Sequence, residues 1–303
     1  MGVDENTLRC LLYAKSVGAN FDSVLTIGHQ ELHLSPSQLR KALADFGILV
    51  SGRDVDEIFY SSGRYADALF QFLGAKKVDA LDKSDYEGAT ILHDLNLEMP
   101  SYLSGAYSMV FDGGALEHVY NFPLAVRSCM KMVRRGGAYL AVSPGNNFMG
   151  HGFYQVSPEF YRAVLNEENG YSNLSLFAFE SGSEPRFYRV EFPQSPQDRV
   201  MLVNARPVLL FAMAVRSNIV TSVEFFSHQR DYVSAWSASS RSGKPGSEWE
   251  RGFIRNLFRL VPLELRWMLK YLFSSGVGYD ARYFHRTQLH LEAKKRTALP
   301  MKN

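Results

Sequence analysis

The sequence predicts an α/β chain: a doubly wound, mainly parallel sheet with an antiparallel far edge and a helical C-terminal extension. Three observations predict it. From Phe21 to Pro144, short β-branched and apolar runs alternate with helical spacings, which implies parallel strands joined by right-handed crossovers. Successive runs end in an aspartate, at Asp82, Asp94 and Asp112. After Gly152 the apolar runs follow one another at the spacing of antiparallel neighbours.

Composition limits the function classes. With 303 residues, 46% of them apolar, the chain can bury a substantial core. A net charge of +2, from 33 basic and 31 acidic residues, gives no field that would draw the chain onto nucleic acid. Cys10 and Cys129 lie far apart and suit buried apolar positions in a reducing compartment. The first residues carry acids where a signal peptide is basic. No apolar run reaches the roughly 18 to 20 residues needed to span a bilayer. The expectation is a cytoplasmic, soluble protein.

Taken in order, Thr7 to Val17 spaces Leu8, Leu11 and Leu12 as a packing helix that Gly18 stops. Phe21 to Gly28 is the first strand. Ser35 caps and Pro36 opens a helix ending near Phe46. A polar stretch to about Gly63 precedes a helix bearing Ala66, Leu69, Phe70 and Leu73 on one face. Strands follow at Val78 to Asp82, Ala89 to Leu95 and Ala106 to Gly114. The next helix runs from Asn121 to the Gly136-Gly137 pair, and Ala138 to Pro144 is the fifth strand. SPEFYRAVL is a capped helix, and LSLFAFES, RFYRVEF and PVLLFAMAVRS are the antiparallel strands. The expected organisation is one α/β domain over 1–233, with a cofactor half at 21–152 and a substrate half at 153–233. A linker or mobile loop follows at 234–248, then a basic and aromatic helical extension at 249–303.

In an open α/β sheet the ligand lies beyond the carboxyl ends of the strands. Those ends deliver Gly28 to Glu31, Asp82, Asp94, Asp112 to Gly114, and Ser143 to Asn147. Carboxylates there suit a ligand bearing ribose hydroxyls and an adenine amine, because an ionised carboxylate only accepts hydrogen bonds.

The runs YADALFQFLGAKKVDALDKSDYEGATILHDLN and SMVFDGGALEHVYNFPLAVRSCMKMVRRGGAYLAVSP resemble the Rossmann-like class I S-adenosylmethionine (AdoMet) methyltransferases. The resemblance covers about Phe21 to Gly152 and is more specific for fold than for activity. It implies that Asp82 meets the cofactor's ribose and Asp94 lies by its adenine, with Gly28, Gln30, Asp112 and Gly113 completing the cofactor set. The departure is the first loop, GHQEL, which keeps only Gly28 where the family is glycine-rich. AdoMet has no phosphate and does not need an amide cradle, so Gln30 is expected to reach its methionine part. A nicotinamide cofactor needs the full G-x-G-x-x-G, so a dehydrogenase is not expected.

NNFMGHGFYQVSPEFY and HQRDYVSAW resemble segments of methyltransferase-like proteins associated with polysaccharide or cell-surface glycan synthesis. That resemblance implies a sugar or glycan hydroxyl as acceptor. Asn146, Asn147, Tyr154 and Gln155 gather donors and acceptors suited to such a substrate. His151 is the expected catalytic base, since imidazole titrates near neutrality. His118 reads either as a second candidate or as a packing residue of its turn, and Glu117 as a cofactor contact or a helix-start acid. His29, His33 and His93 show no metal-ligand spacing, and no metal is expected. The aromatic and basic segment from Trp249 to Phe273 leaves two partners open, a second subunit or a membrane surface. The leading expectation is an AdoMet-dependent O-methyltransferase. The rivals are a methyltransferase-fold scaffold protein of glycan assembly that no longer catalyses, and a nucleotide enzyme on the same sheet.

Overall fold

The computed structural model describes residues 2–180, 186–195, 198–220, 262 and 278–298. The chain divides into two units. The first comprises Met1–Arg189, Arg206–Phe225 and Arg286–Asn303, and the second Val190–Ala205 and Phe226–His285.

The first unit starts with β1 (Gly2–Val3) and α1 (Glu5–Ser16). Asp4 caps α1, its carboxylate accepting from Thr7 N at 2.7 Å. Then come β2 (Ser23–Ile27), β3 (Glu31–Leu32) and α2 (Pro36–Asp45). Ser35 caps α2, as the sequence predicts, and Gln38 completes a reciprocal capping box with it. The stretch read as polar linker contains a helix, α3 (Gly52–Tyr60). Its capping box, Ser51 with Asp54, uses a shorter acid than the usual Glu, and it buries only Val55 and Ile58. That sparse apolar face is why the spacing did not reveal it.

Next are α4 (Asp67–Phe72), β4 (Lys77–Asp82), β5 (Ile91–Leu92) and β6 (Tyr107–Asp112). β5 is far shorter than the expected Ala89 to Leu95, so Asp94 lies beyond its end. α5 (Phe122–Met132) stops before the glycine pair and β7 (Val133–Asn146) begins at once. Two interactions end the helix there. Val133 pairs with Tyr107 of β6, and the Lys131 carbonyl accepts from Gly105 N and from the buried Arg216 guanidinium. The chain continues with α6 (Pro158–Val164), β8 (Tyr171–Glu180) and β9 (Phe187–Val190), whose last residue is assigned to the second unit. In the second unit β10 (Leu202–Val203) pairs antiparallel with β12 (Gly278–Tyr279). Between them in sequence, β11 (Val208–Arg216) belongs to the first unit. After β12 come β13 (Phe284–Thr287) and α7 (Leu289–Ala298).

The main sheet runs β13-β9-β8-β11-β7-β6-β2-β4-β5. β2 pairs parallel with β4 on one side and β6 on the other, Thr26 facing Ala80 and Phe111. β11 lies antiparallel between β7 and β8, which makes the far edge. This is the Rossmann-like, doubly wound sheet with an antiparallel edge that the sequence predicts. Met109 and Phe111, Leu140 and Val142, Phe177 and Phe179, and Phe211 and Met213 alternate onto one face. There they join α1, α2, α4 and α7 in one core. α5 packs on β6 and β7 with Cys129 and Met130 buried, and both cysteines are free thiols in the interior. Among the described residues no helix is long and apolar enough to cross a membrane. The segments 234–248 and, apart from residue 262, Trp249 to Phe273, with the expectations placed on them, lie outside the described residues.

Candidate functional site

The chain leaves β2 for β4 and β5 on one side and returns for β6 and β7 on the other, so the order reverses between β2 and β6. A ligand crevice belongs at that point, outside the carboxyl ends of the strands. A cavity of about 360 Å³ lies there, lined by the end of β2 (Ile27, Gly28), the end of β4 (Leu81, Asp82, Lys83), the segment from His93 to Asn96, and Ala115, His118 and Val119.

Each wall has a local cause. Gly28 takes a positive φ of 70° while its N–H donates to Leu81 O at 2.8 Å. The turn after β2 therefore stays tied to β4 in a conformation that favours glycine. Asp82 Oδ1 accepts from Lys83 N at 2.6 Å, which leaves Oδ2 with no protein partner among the described residues. Asp94 Oδ1 accepts from Asn96 N at 2.9 Å and Asn96 Nδ2 at 2.8 Å, and its other oxygen lies 3.1 Å from Lys83 Nζ. The Asn96 donors foremost, and then Lys83, hold the Asp94 carboxyl down to about 2. Asp94 is thus an anion at any working pH. Two carboxylates from neighbouring strands therefore face one cavity.

The loop after β6 forms the opposite wall. Asp112 is buried, and its Oδ1 accepts from Ala115 N at 2.8 Å and Leu116 N at 3.3 Å, which folds the chain into the turn carrying Glu117 and His118. Burial, and then the charge of Glu117, push the Asp112 carboxyl well above the usual range. Glu117 is only 2% exposed and burial raises its carboxyl too. His118 is held below its ordinary value by partial burial and by neighbouring His151.

His151 reaches this wall from the loop after β7. Its Nε2 lies 3.2 Å from Glu117 Oε1, and its ring meets that of His118 edge-on with centroids 4.8 Å apart. The loop is docked by backbone: Phe153 N donates to Glu117 O at 2.7 Å, and a Cβ on Gly152 would come within 2.8 Å of that oxygen. The structure thus joins Glu117, His118 and His151 across 34 residues of sequence.

Other predicted residues have different tasks. Gln30 is 1% exposed and does not line the cavity. Its Nε2 donates to Ile27 O at 2.7 Å, and its Oε1 lies where a Cβ on Gly113 would fall. Gln30 and Gly113 therefore lock the first loop onto the β6 loop, and Asp112 shapes a turn. His29 is equally committed, with Nδ1 2.6 Å from Glu87 O, Nε2 2.8 Å from Asp67 Oδ2 and its ring stacked on Tyr65. In GHQEL, side chains fill the space where a glycine-rich loop would be open. Asn147, Tyr154 and Gln155 also spend hydrogen bonds on the fold, with Arg206 O, Tyr120 O and Phe148 N respectively. Asn146 ends β7 and, like these three, does not line the cavity.

Sequence reasoning missed Lys83, His93, Asn96 and the Glu117–His151 pair. Asn96 had a readable signal, since Asp-x-Asn is the spacing of a carboxylate accepting from the amide two residues on. The pair had none.

No protein family profile matches the chain, and no curated protein does. Among solved structures, the chain is similar to a 1,6-didemethyltoxoflavin-N1-methyltransferase of Burkholderia thailandensis with bound S-adenosylhomocysteine, at 13% identity and TM-score 0.37 over 71% of this chain and 79% of that one. It is similar to the branched-chain polyamine synthase of Thermus thermophilus at 15% identity and TM-score 0.35, over 73% and 59%. It is also similar to the CMeT domain of the citrinin polyketide synthase at 11% identity and TM-score 0.35, over 66% and 48%, so it spans about half of that chain. Values this low carry no argument about activity, which must come from the site.

Proposed function

We propose that the chain is an AdoMet-dependent methyltransferase acting on a small-molecule hydroxyl. The observation that carries the reading is the switch-point cavity with Asp82 and Asp94 on one wall and His118 on the other. Asp82 Oδ2 is available to ribose hydroxyls, and Asp94 stays ionised to accept from an adenine amine. The side chains filling GHQEL leave no backbone cradle for a pyrophosphate, which favours a cofactor without phosphate. When bound, AdoMet supplies a sulfonium methyl.

The acceptor belongs on the His118 side of the cavity, where exposed Tyr120 and Phe153 meet edge-on at 6.4 Å. A sugar or glycan hydroxyl is the acceptor class supported by the sequence resemblance, and aromatic faces of this kind suit sugar rings. His151, held by Glu117, is the residue assigned to activating that hydroxyl.

Calorimetric titration of S-adenosylhomocysteine into the purified chain tests the cofactor reading. Saturable binding is expected, and Asp82→Ala should weaken it by about 1 to 3 kcal/mol through lost hydrogen bonds. No heat and no thermal shift at millimolar ligand would remove the enzyme reading. It would leave the scaffold alternative, which the filled first loop favours.

A further inference from the structure

Glu117, His118 and His151 form a second chemical feature beside the cavity. Their candidate ligand atoms, one carboxylate oxygen and one imidazole nitrogen from each histidine, all lie within 4.8 Å of one another. Two donors about 2.0 to 2.2 Å from one tetrahedral cation stand ~3.3 to 3.6 Å apart, so binding would draw the widest-set pair about 1 Å closer, a movement open to the two exposed histidines. The Glu117–His151 separation of 3.2 Å is already that of neighbouring ligands.

Two further observations point to a ligand. Glu117 is almost wholly buried, yet its Oε2 has no hydrogen-bond partner among the described residues. Among the described residues the group paired with this carboxylate is His151. A buried carboxylate with an orphaned oxygen is costly unless positive charge sits against it. The His118 imidazole also makes no hydrogen bond among the described residues, although the residue lines the cavity. The backbone holds the trio in place: Asp112 shapes the turn bearing Glu117 and His118, and Gly152 and Phe153 seat the His151 loop on Glu117.

We infer that Glu117, His118 and His151 bind a divalent transition-metal cation at the acceptor side of the cavity. Two imidazoles and one carboxylate suit Zn²⁺, Co²⁺ or Fe²⁺ rather than Mg²⁺ or Ca²⁺, which prefer all-oxygen shells. Three protein ligands leave coordination positions for water or an acceptor oxygen. With a cation bound, His151 would serve as a ligand in place of a base and the cation would polarise the acceptor oxygen; that role rests on the methyl-transfer reading, and the cation site does not.

The test uses the full chain, stripped with chelator and dialysed. Co²⁺ is titrated while visible absorption is recorded, and Zn²⁺ is titrated by calorimetry. One Co²⁺ per chain is expected, with visible bands that Zn²⁺ displaces. His151→Ala and, separately, Glu117→Gln should each weaken binding by more than about tenfold, since even groups that merely orient ligands cost 10- to 100-fold. His151 lies on an exposed loop, so its variant keeps the test valid should the buried Glu117→Gln fail to fold. The absence of stoichiometric binding at millimolar Co²⁺ and Zn²⁺, or affinity unchanged in His151→Ala, would overturn the site. S-adenosylhomocysteine binding measured on the same preparations separates the two readings. Its survival without metal binding removes the cation site alone, and the converse removes the cofactor alone.

Discussion

A methyl group added at Gly113 would fall on Gln30 Oε1, although nothing in the backbone there demands glycine. Gly113→Ala should therefore cost about 1 to 3 kcal/mol by overpacking. Gln30→Ala in the same chain should recover part of that loss. Urea midpoints of the two single variants and the double variant measure the coupling; strict additivity would show that the two residues do not interlock. Asp94 allows a prediction about pH. Its folded value of about 2 lies below the ordinary carboxylate value near 4. It therefore contributes stability that is present above about pH 4 and lost as pH falls toward 2. Asp94→Asn should flatten the fall in denaturant midpoint across that window while lowering the midpoint at pH 7.

Elements end where tertiary partners make them end. Lys131 and Val133 carbonyls at the close of α5 accept from Arg216 of β11. Arg216→Leu should strip hydrogen bonds from buried carbonyls and cost about 1 to 3 kcal/mol, read as a lower urea midpoint. α2 depends on a local device instead. Ser35→Ala removes its reciprocal cap, with an expected loss of about 0.5 to 2 kcal/mol. The contrast explains what could be read in advance. The Ser35 cap and Pro36 lie within one turn of the helix they start, so the start of α2 was legible to the residue. The end of α5 is set by a residue 85 positions away, and the glycine pair suggested a stop that the sheet pre-empts.

At the scale of the whole molecule, a ligand that binds only the folded chain raises its stability by about 2.7 kcal/mol at 100 times its Kd. S-adenosylhomocysteine should therefore lift the melting temperature in a concentration-dependent way, and Asp82→Ala should shift that dependence to higher ligand. A scan with no such dependence would count against the cavity as a cofactor site. By itself, the sequence determined most of the succession of strands and helices, α3 excepted, with the antiparallel edge and the aspartates at the strand ends, because period, caps and turn residues act over a few positions. The tertiary structure alone decided what those positions face. It turned Gln30, Asp112 and Gly113 inward to lock loops, and committed Asn147, Tyr154 and Gln155 to the backbone. It also brought Glu117 and His118 against His151. Those outcomes depend on which loops meet above the sheet, and such meetings are set by strand order and packing across distances that no local spacing records.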